Sequence, residues 1–113
     1  MEALIKQIRD FSAKRDWEQF HSPKNLAMAL SVEAAELVEI FQWLTESESY
    51  LLSEEKVEHL KEEIGDVMIC LTGLADKFGI NPLSAAEEKI KLNEIKYPVD
   101  KAKGKADKYT DIS

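Results

Sequence analysis

Residues 22–44 read SPKNLAMALSVEAAELVEIFQWL. Ser22 followed by Pro23 is an N-cap with proline at the first helical position, and the apolar pattern then continues unbroken to about Leu44. On a wheel of about 100° per residue, Leu26, Ala29, Leu30, Leu37, Ile40 and Leu44 fall in one arc. Glu33 lands inside that arc, and Glu36 lies at its edge beside Trp43. An ionised carboxylate on an apolar face loses several kcal/mol of hydration unless something positive compensates it.

A second long helix repeats the arrangement. Ser53 before Glu54 and Glu55 opens it with acids on its positive end, and Gly79 stops it after Phe78. Val57, Leu60, Ile64, Val67, Leu71, Leu74 and Phe78 make its expected core face. Glu63 borders that face, with Asp66 one turn further on. Each helix thus carries an acid pair at i and i+3, a spacing that aims two carboxylates at one place, and antiparallel packing brings all four into one groove. Upstream, Glu2 to Ala13 reads as an amphipathic helix with Leu4, Ile5, Ile8 and Phe11 on one face. Downstream, Asn81 and Pro82 repeat the cap-and-proline signal for a helix ending near Tyr97, because Pro98 cannot continue it. TESESYLLS, between the two long helices, reads as a polar break.

No segment alternates with period two, so the class is all-α: a four-helix-type bundle of antiparallel helices. Residues 1–98 form the helical domain, and 99–113, polar and lysine-rich, an extended C-terminal tail. A chain of 113 residues with large apolar faces buries a small share of its surface alone, which points to a core completed by homo-oligomerisation. The single cysteine, Cys70, forms no intrachain disulfide, and the opening MEALIKQIRDF is not a signal-type run, so a cytoplasmic protein is expected. No apolar stretch approaches the roughly 20 residues that cross a bilayer.

The net charge of −7 argues against polymeric nucleic acid as a partner. That charge is uneven: residues 1–88 hold eighteen acids against eight Lys or Arg, and 89–113 hold seven lysines against four acids. An acidic body handling a small polyanion needs a divalent cation in between, with lysines reaching the polyanion from the other side. Clustered carboxylates suit Mg²⁺ or Mn²⁺, which take about six oxygens and keep places for water and phosphate. EF-hand and glycine-rich phosphate loops are both missing, and His21 and His59 lack zinc-site spacing.

The pairs Glu33/Glu36 in VEAAE and Glu63/Asp66 in EIGD resemble the ExxE…ExxD signature of the MazG-like all-α nucleoside triphosphate pyrophosphohydrolases. Arg15 to Trp43 (RDWEQFHSPKNLAMAL…FQW), EEIGDV, KIKLNEIKYP (Lys89 to Pro98) and DKYTDI are similar to the dCTP pyrophosphatase branch in particular. The resemblance implies hydrolysis of a deoxynucleoside triphosphate, dCTP or a modified dCTP first, to monophosphate and pyrophosphate, by a tetramer built as a dimer of dimers. It makes Glu33, Glu36, Glu63 and Asp66 metal ligands. It also places Lys89 and Asn93 on the substrate, Trp17 and Trp43 around base and sugar, and Lys108 with Tyr109 on a closing tail. The chain departs at Val32, where longer members carry glutamate, and at Ile8 and Cys70, where the animal enzymes carry histidine and tyrosine. Base selectivity is therefore the part that carries over least.

The expected reaction is in-line attack of a metal-oriented water on the α-phosphorus, with Glu36 or Glu63 accepting the proton. Lys89, Lys96 and Lys108 are candidates for the phosphates, and Trp17, Trp43 and Tyr97 for a base platform, with Phe20 assigned to the core. Asn93 and His21 offer hydrogen bonds to a base edge or sugar hydroxyl. Two alternatives stand beside this reading: the same fold acting on dUTP, dATP or a broad set, and a non-enzymatic helical interaction protein whose acidic groove grips a basic partner.

Overall fold

The computed structural model describes residues 1–104. In chain order it contains α1 (Glu2–Lys14), a 3-10 turn (Glu18–Phe20), α2 (Pro23–Phe41), α3 (Glu46–Ser49), α4 (Glu54–Asp76), α5 (Pro82–Lys96) and α6 (Val99–Ala102), with no strand among the described residues. The class is all-α, as the periodicity requires. No helix among the described residues is long and apolar enough to cross a membrane.

The starts of the long helices are the ones their caps specify. Ser22 Oγ accepts from the Asn25 N–H, Ser53 Oγ from the Lys56 N–H, and Asn81 Oδ1 from the N–H groups of Leu83 and Ser84. The stretch read as a polar break contains α3 instead. Thr45 accepts from the Glu48 N–H while the Glu48 carboxylate accepts from the Thr45 N–H, a reciprocal box that stabilises one turn without any apolar face. It also ends α2 at Phe41, short of Leu44. The tail departs from an extended chain at its beginning, where Pro98 caps the turn Val99–Ala102; the rest of it, from residue 105, lies outside the described residues.

The chain divides into two compact units, Met1–Gly79 and Ile80–Ser113. In the first, α2 and α4 are the principal packed pair. Leu26, near the start of α2, stands 3.9 Å from where a Cβ on Gly73, near the end of α4, would sit, and Glu36 meets Glu63. The two helices therefore run antiparallel. The α1 helix is tied to the end of α4 by a forked ion pair: Arg9 donates from Nε to Asp76 Oδ2 at 2.8 Å and from Nη2 to Oδ1. In the second unit, α5 ends where the Tyr97 N–H bonds back to the Asn93 carbonyl.

Burial in this chain corrects the expected core face of α4. Leu26 and Ile40 are buried on α2, but on α4 the buried side chains are Glu63 and Thr72. The stripe of Val57, Ile64, Leu71 and Phe78 is exposed, Phe78 at 65%. A helix wheel gives the width of an apolar face but not the neighbour it meets. Here α2 sits over the side of α4 that carries Glu63 and Gly73, leaving the stripe at the surface.

Two glycines should respond to alanine with opposite signs. Gly79 has φ +65 in open space, so Gly79→Ala meets no atom but forces a left-handed backbone costing about 1 kcal/mol or more. Gly65 lies inside α4 with nothing near its Cβ position, so Gly65→Ala should stabilise by about 0.5–1 kcal/mol. Thermal melts should show the first variant lowered and the second raised.

Candidate active site

Successive turns of α2 place Glu33 and Glu36 on the side facing α4, and α4 answers with Glu63. One carboxylate oxygen from each lies within 4.8 Å of the others. Glu63 is 8% exposed, and the Oε2 atoms of both Glu33 and Glu63 are buried without a hydrogen-bond partner. Buried acceptors left unmatched cost about 1–3 kcal/mol each. The cluster is therefore destabilising unless a proton or a cation occupies it.

The electrostatics agree with that cost. Burial, then a hydrogen bond to Glu36, then the charges of Glu36, Asp66 and Glu63 push the Glu33 carboxyl up to about 7. Burial foremost, then the charge of Glu36, raises Glu63 as well, while His59 opposes the rise. A set of oxygen donors with orphaned lone pairs fits a hard divalent cation. Asp66 is exposed and stands outside the group of three, close enough for its charge to be felt by Glu33 and Glu63. The structure thus brings together three of the four expected acids, with the fourth alongside.

Beside the cluster lies a cleft of about 510 Å³, walled by α1, the Trp17–His21 loop, α2 and α4. Cys70 joins the two. It lines the cleft, and its thiol is pushed up first by burial and then by the charges of Glu33 and Asp66. The loop is held in place locally. The Trp17 N–H bonds to the Ser12 carbonyl, the Trp17 ring meets Phe11 edge-on at 5.6 Å, and Arg15 stacks on Phe11 at 3.7 Å. Asn25 Nδ2 donates to the Phe20 carbonyl, and the buried Ser12 hydroxyl lies 3.5 Å from His21 Nδ1.

Trp17, His21 and Phe20 line the cleft. Phe20 corrects the expectation of a core residue: it is 59% exposed, because a three-residue 3-10 turn has no face to bury against. Trp43 is 87% exposed and is not part of this cleft. Lys89, Asn93, Lys96 and Tyr97 lie in the second unit, on α5 and at its end. Lys108 and Tyr109 fall outside the described residues. Sequence reasoning missed Ser12 and Asn25. Asn25 had a signal, its place in the first turn after Ser22; a serine in the middle of α1 had none.

The MazG-like family model matches residues 28–112. The chain is 42% identical to dCTP pyrophosphatase 1 of Rattus norvegicus and of Mus musculus, and 40% identical to that of Homo sapiens, over 98% of its own length and 69% of theirs. Among solved structures it is similar to a pyrophosphatase from Archaeoglobus fulgidus, with 44% identity and a TM-score of 0.81, covering 87% of this chain and 92% of that one.

Proposed function

The chain belongs to the MazG-like family, and from that premise we propose that it hydrolyses a deoxynucleoside triphosphate, with dCTP or a modified dCTP preferred, to the monophosphate and pyrophosphate. The observation that carries this reading is the convergence of Glu33, Glu36 and Glu63, two of them with orphaned buried oxygens, beside an aromatic-lined cleft. One part suits the cation that a triphosphate brings, the other a base.

Glu33, Glu36, Glu63 and Asp66 would hold Mg²⁺, or Mn²⁺ in its place. When bound, the ion supplies charge neutralisation at the phosphates and a more acidic water. Glu36 or Glu63 would accept a proton from the water that attacks the α-phosphorus, as the bond to the bridging oxygen breaks and pyrophosphate leaves. Trp17 offers an aromatic face to the base, and His21 a hydrogen bond to its edge. Lys89, Lys96 and Lys108 are assigned to the phosphates, Tyr97 to the base platform, Asn93 to a base edge or sugar hydroxyl and Tyr109 to the substrate side of the tail, with residues 1–98 as the catalytic domain and 99–113 as the tail. Trp43 is assigned with Trp17 to the surroundings of the base and sugar. The exposed stripe on α4 supports a homo-oligomer; its form as a dimer of dimers and its place in the cytoplasm are part of the same proposal.

A groove built to grip a basic partner would keep its carboxylates in water, whereas Glu63 is withdrawn from it. The test is a panel of dCTP, 5-methyl-dCTP, dUTP and dATP with Mg²⁺ and with EDTA, assayed for monophosphate and pyrophosphate. Pyrophosphate should be released with Mg²⁺ alone, fastest from a cytosine nucleotide. Release of orthophosphate, or of nothing from any nucleotide, overturns the reading.

A further inference from the structure

Asp16, between α1 and Trp17, has φ +54 and is the one non-glycine with a left-handed backbone among the described residues. That conformation disfavours an L-residue by roughly tenfold in population, least for Asp and Asn and most for β-branched side chains. Here it reverses the chain at the end of the helix. The Asp16 N–H bonds to the Ala13 carbonyl at 3.1 Å and the Trp17 N–H to the Ser12 carbonyl at 3.0 Å, so Trp17 lies back over the last turn of α1, its ring edge-on to Phe11. A helix cap needs no more than glycine at this place. Asp16 adds a clasp: Gln19 Nε2 donates to its carbonyl at 3.0 Å and to its Oδ2 at 3.1 Å. Gln19 belongs to the 3-10 turn Glu18–Phe20, so the residue before Trp17 is fastened to the turn after it. The cleft-lining Trp17, Phe20 and His21 all hang on that closed loop.

We propose that Asp16 is a positioning residue, whose left-handed backbone and clasp to Gln19 hold Trp17 in the cleft wall ready for the base of the nucleotide. The inference rests on the reading of Trp17 as the aromatic face for that base. Outlying backbone persists where its surroundings hold it, and it gathers where geometry serves a site. A loop that leaves the competent conformation part of the time weakens apparent affinity by the fraction lost, yet the complex, once formed, is the same. The effect therefore falls on KM and spares kcat. Asp16 is exposed and lies outside every helix, so replacing it removes no core contact.

The experiment compares the full chain as wild type, Asp16→Asn, Asp16→Val and Gln19→Ala by two readouts: steady-state hydrolysis of dCTP at saturating Mg²⁺, and the magnetic resonance signal of the Trp17 indole N–H with no nucleotide present. Asp16→Val should raise KM about tenfold at level kcat and move the indole signal toward that of an unfolded chain. Asp16→Asn, which tolerates the left-handed backbone and keeps an acceptor for Gln19, should stay within about twofold of the wild-type KM with the signal in place. Gln19→Ala, which removes the clasp alone, should raise KM about threefold. The inference is overturned by Asp16→Val with wild-type KM and an unmoved signal, by Asp16→Asn as impaired as Asp16→Val, or by a loss confined to kcat. Should Asp16→Val lose its helical circular dichroism, Gln19→Ala decides, and a wild-type KM there overturns the inference. Wild-type protein that releases no pyrophosphate from dCTP overturns the nucleotide reading itself, a result separable because the indole signal needs no substrate.

Discussion

Glu36→Gln and Glu63→Gln should each lower kcat by about 100-fold or more and leave a folded protein. Glutamine keeps the length and volume of glutamate but offers a single neutral oxygen, so a ligand loses its charge and a base loses its proton acceptor; general-base removal alone is worth about 10²–10⁴. The fold should not suffer, because the carboxylates stand unmatched when no cation is bound. Glu63 is raised by burial and by the charge of Glu36, so removing its charge relieves a cost of the folded state. Melting temperature in EDTA should stay level or rise, and the helical circular dichroism should be unchanged. A variant with near wild-type kcat would show that its residue is neither ligand nor base. One that lost activity together with its helical signal would point to a structural role instead.

Those two acids were legible in the sequence because the signal is local: a 3.6-residue period fixes which side chains share a helix face, and Glu36 stood at the edge of an apolar arc that enclosed Glu33, while Glu63 bordered the apolar face of its own helix. The caps at Ser22, Ser53 and Asn81 were legible for the same reason, each being a hydrogen bond closed within three residues. Thr45 and Glu48 carried an equally local signal, but with no apolar residue to mark a face the turn read as a break. What the sequence concealed depends on partners far along the chain. The side of α4 that meets α2 is the one that carries Gly73 opposite Leu26 and Glu63 opposite Glu36, and the wheel weighted the Val57–Ile64–Leu71–Phe78 stripe instead. The cleft is assembled from α1, a loop and the ends of two helices, so Ser12 and Asn25 acquire meaning only once those are in contact. Asp66 shows the limit of the i,i+3 rule. Spacing put it beside Glu63 on α4, but inter-helix packing buried one and left the other exposed.

Mg²⁺ should stabilise the protein more at pH 8 than at pH 5. The Glu33 carboxyl, ordinarily at 4.5, is pushed up to about 7, by burial first and then by Glu36 and the neighbouring charges. Between those values the folded chain holds a proton that the unfolded chain has released, so the stability this proton confers is complete below about 4.5 and is lost as pH rises through about 7. Asp76, held below its usual range by its hydrogen bonds to Arg9, has opposite linkage, but it titrates below 3.8 and contributes no slope between pH 5 and 8. A divalent cation reverses the Glu33 balance, since it favours the ionised carboxylate and competes with the proton for the same oxygens. At a cation concentration of about 100 times Kd, mass action adds about 2.7 kcal/mol, or roughly 10 °C or more for a domain of this size. Melts in EDTA should therefore fall from pH 5 to pH 8, and melts in saturating Mg²⁺ at matched ionic strength should not. Glu33→Gln carries no titrating group at that position, so its melts in EDTA should lose most of the slope. A gap between Mg²⁺ and EDTA that is the same at both pH values would mean that the cation does not bind where Glu33 titrates. A metal-free melt that rises toward pH 8 would mean that the repulsion inferred among Glu33, Glu36 and Glu63 is relieved by some other group.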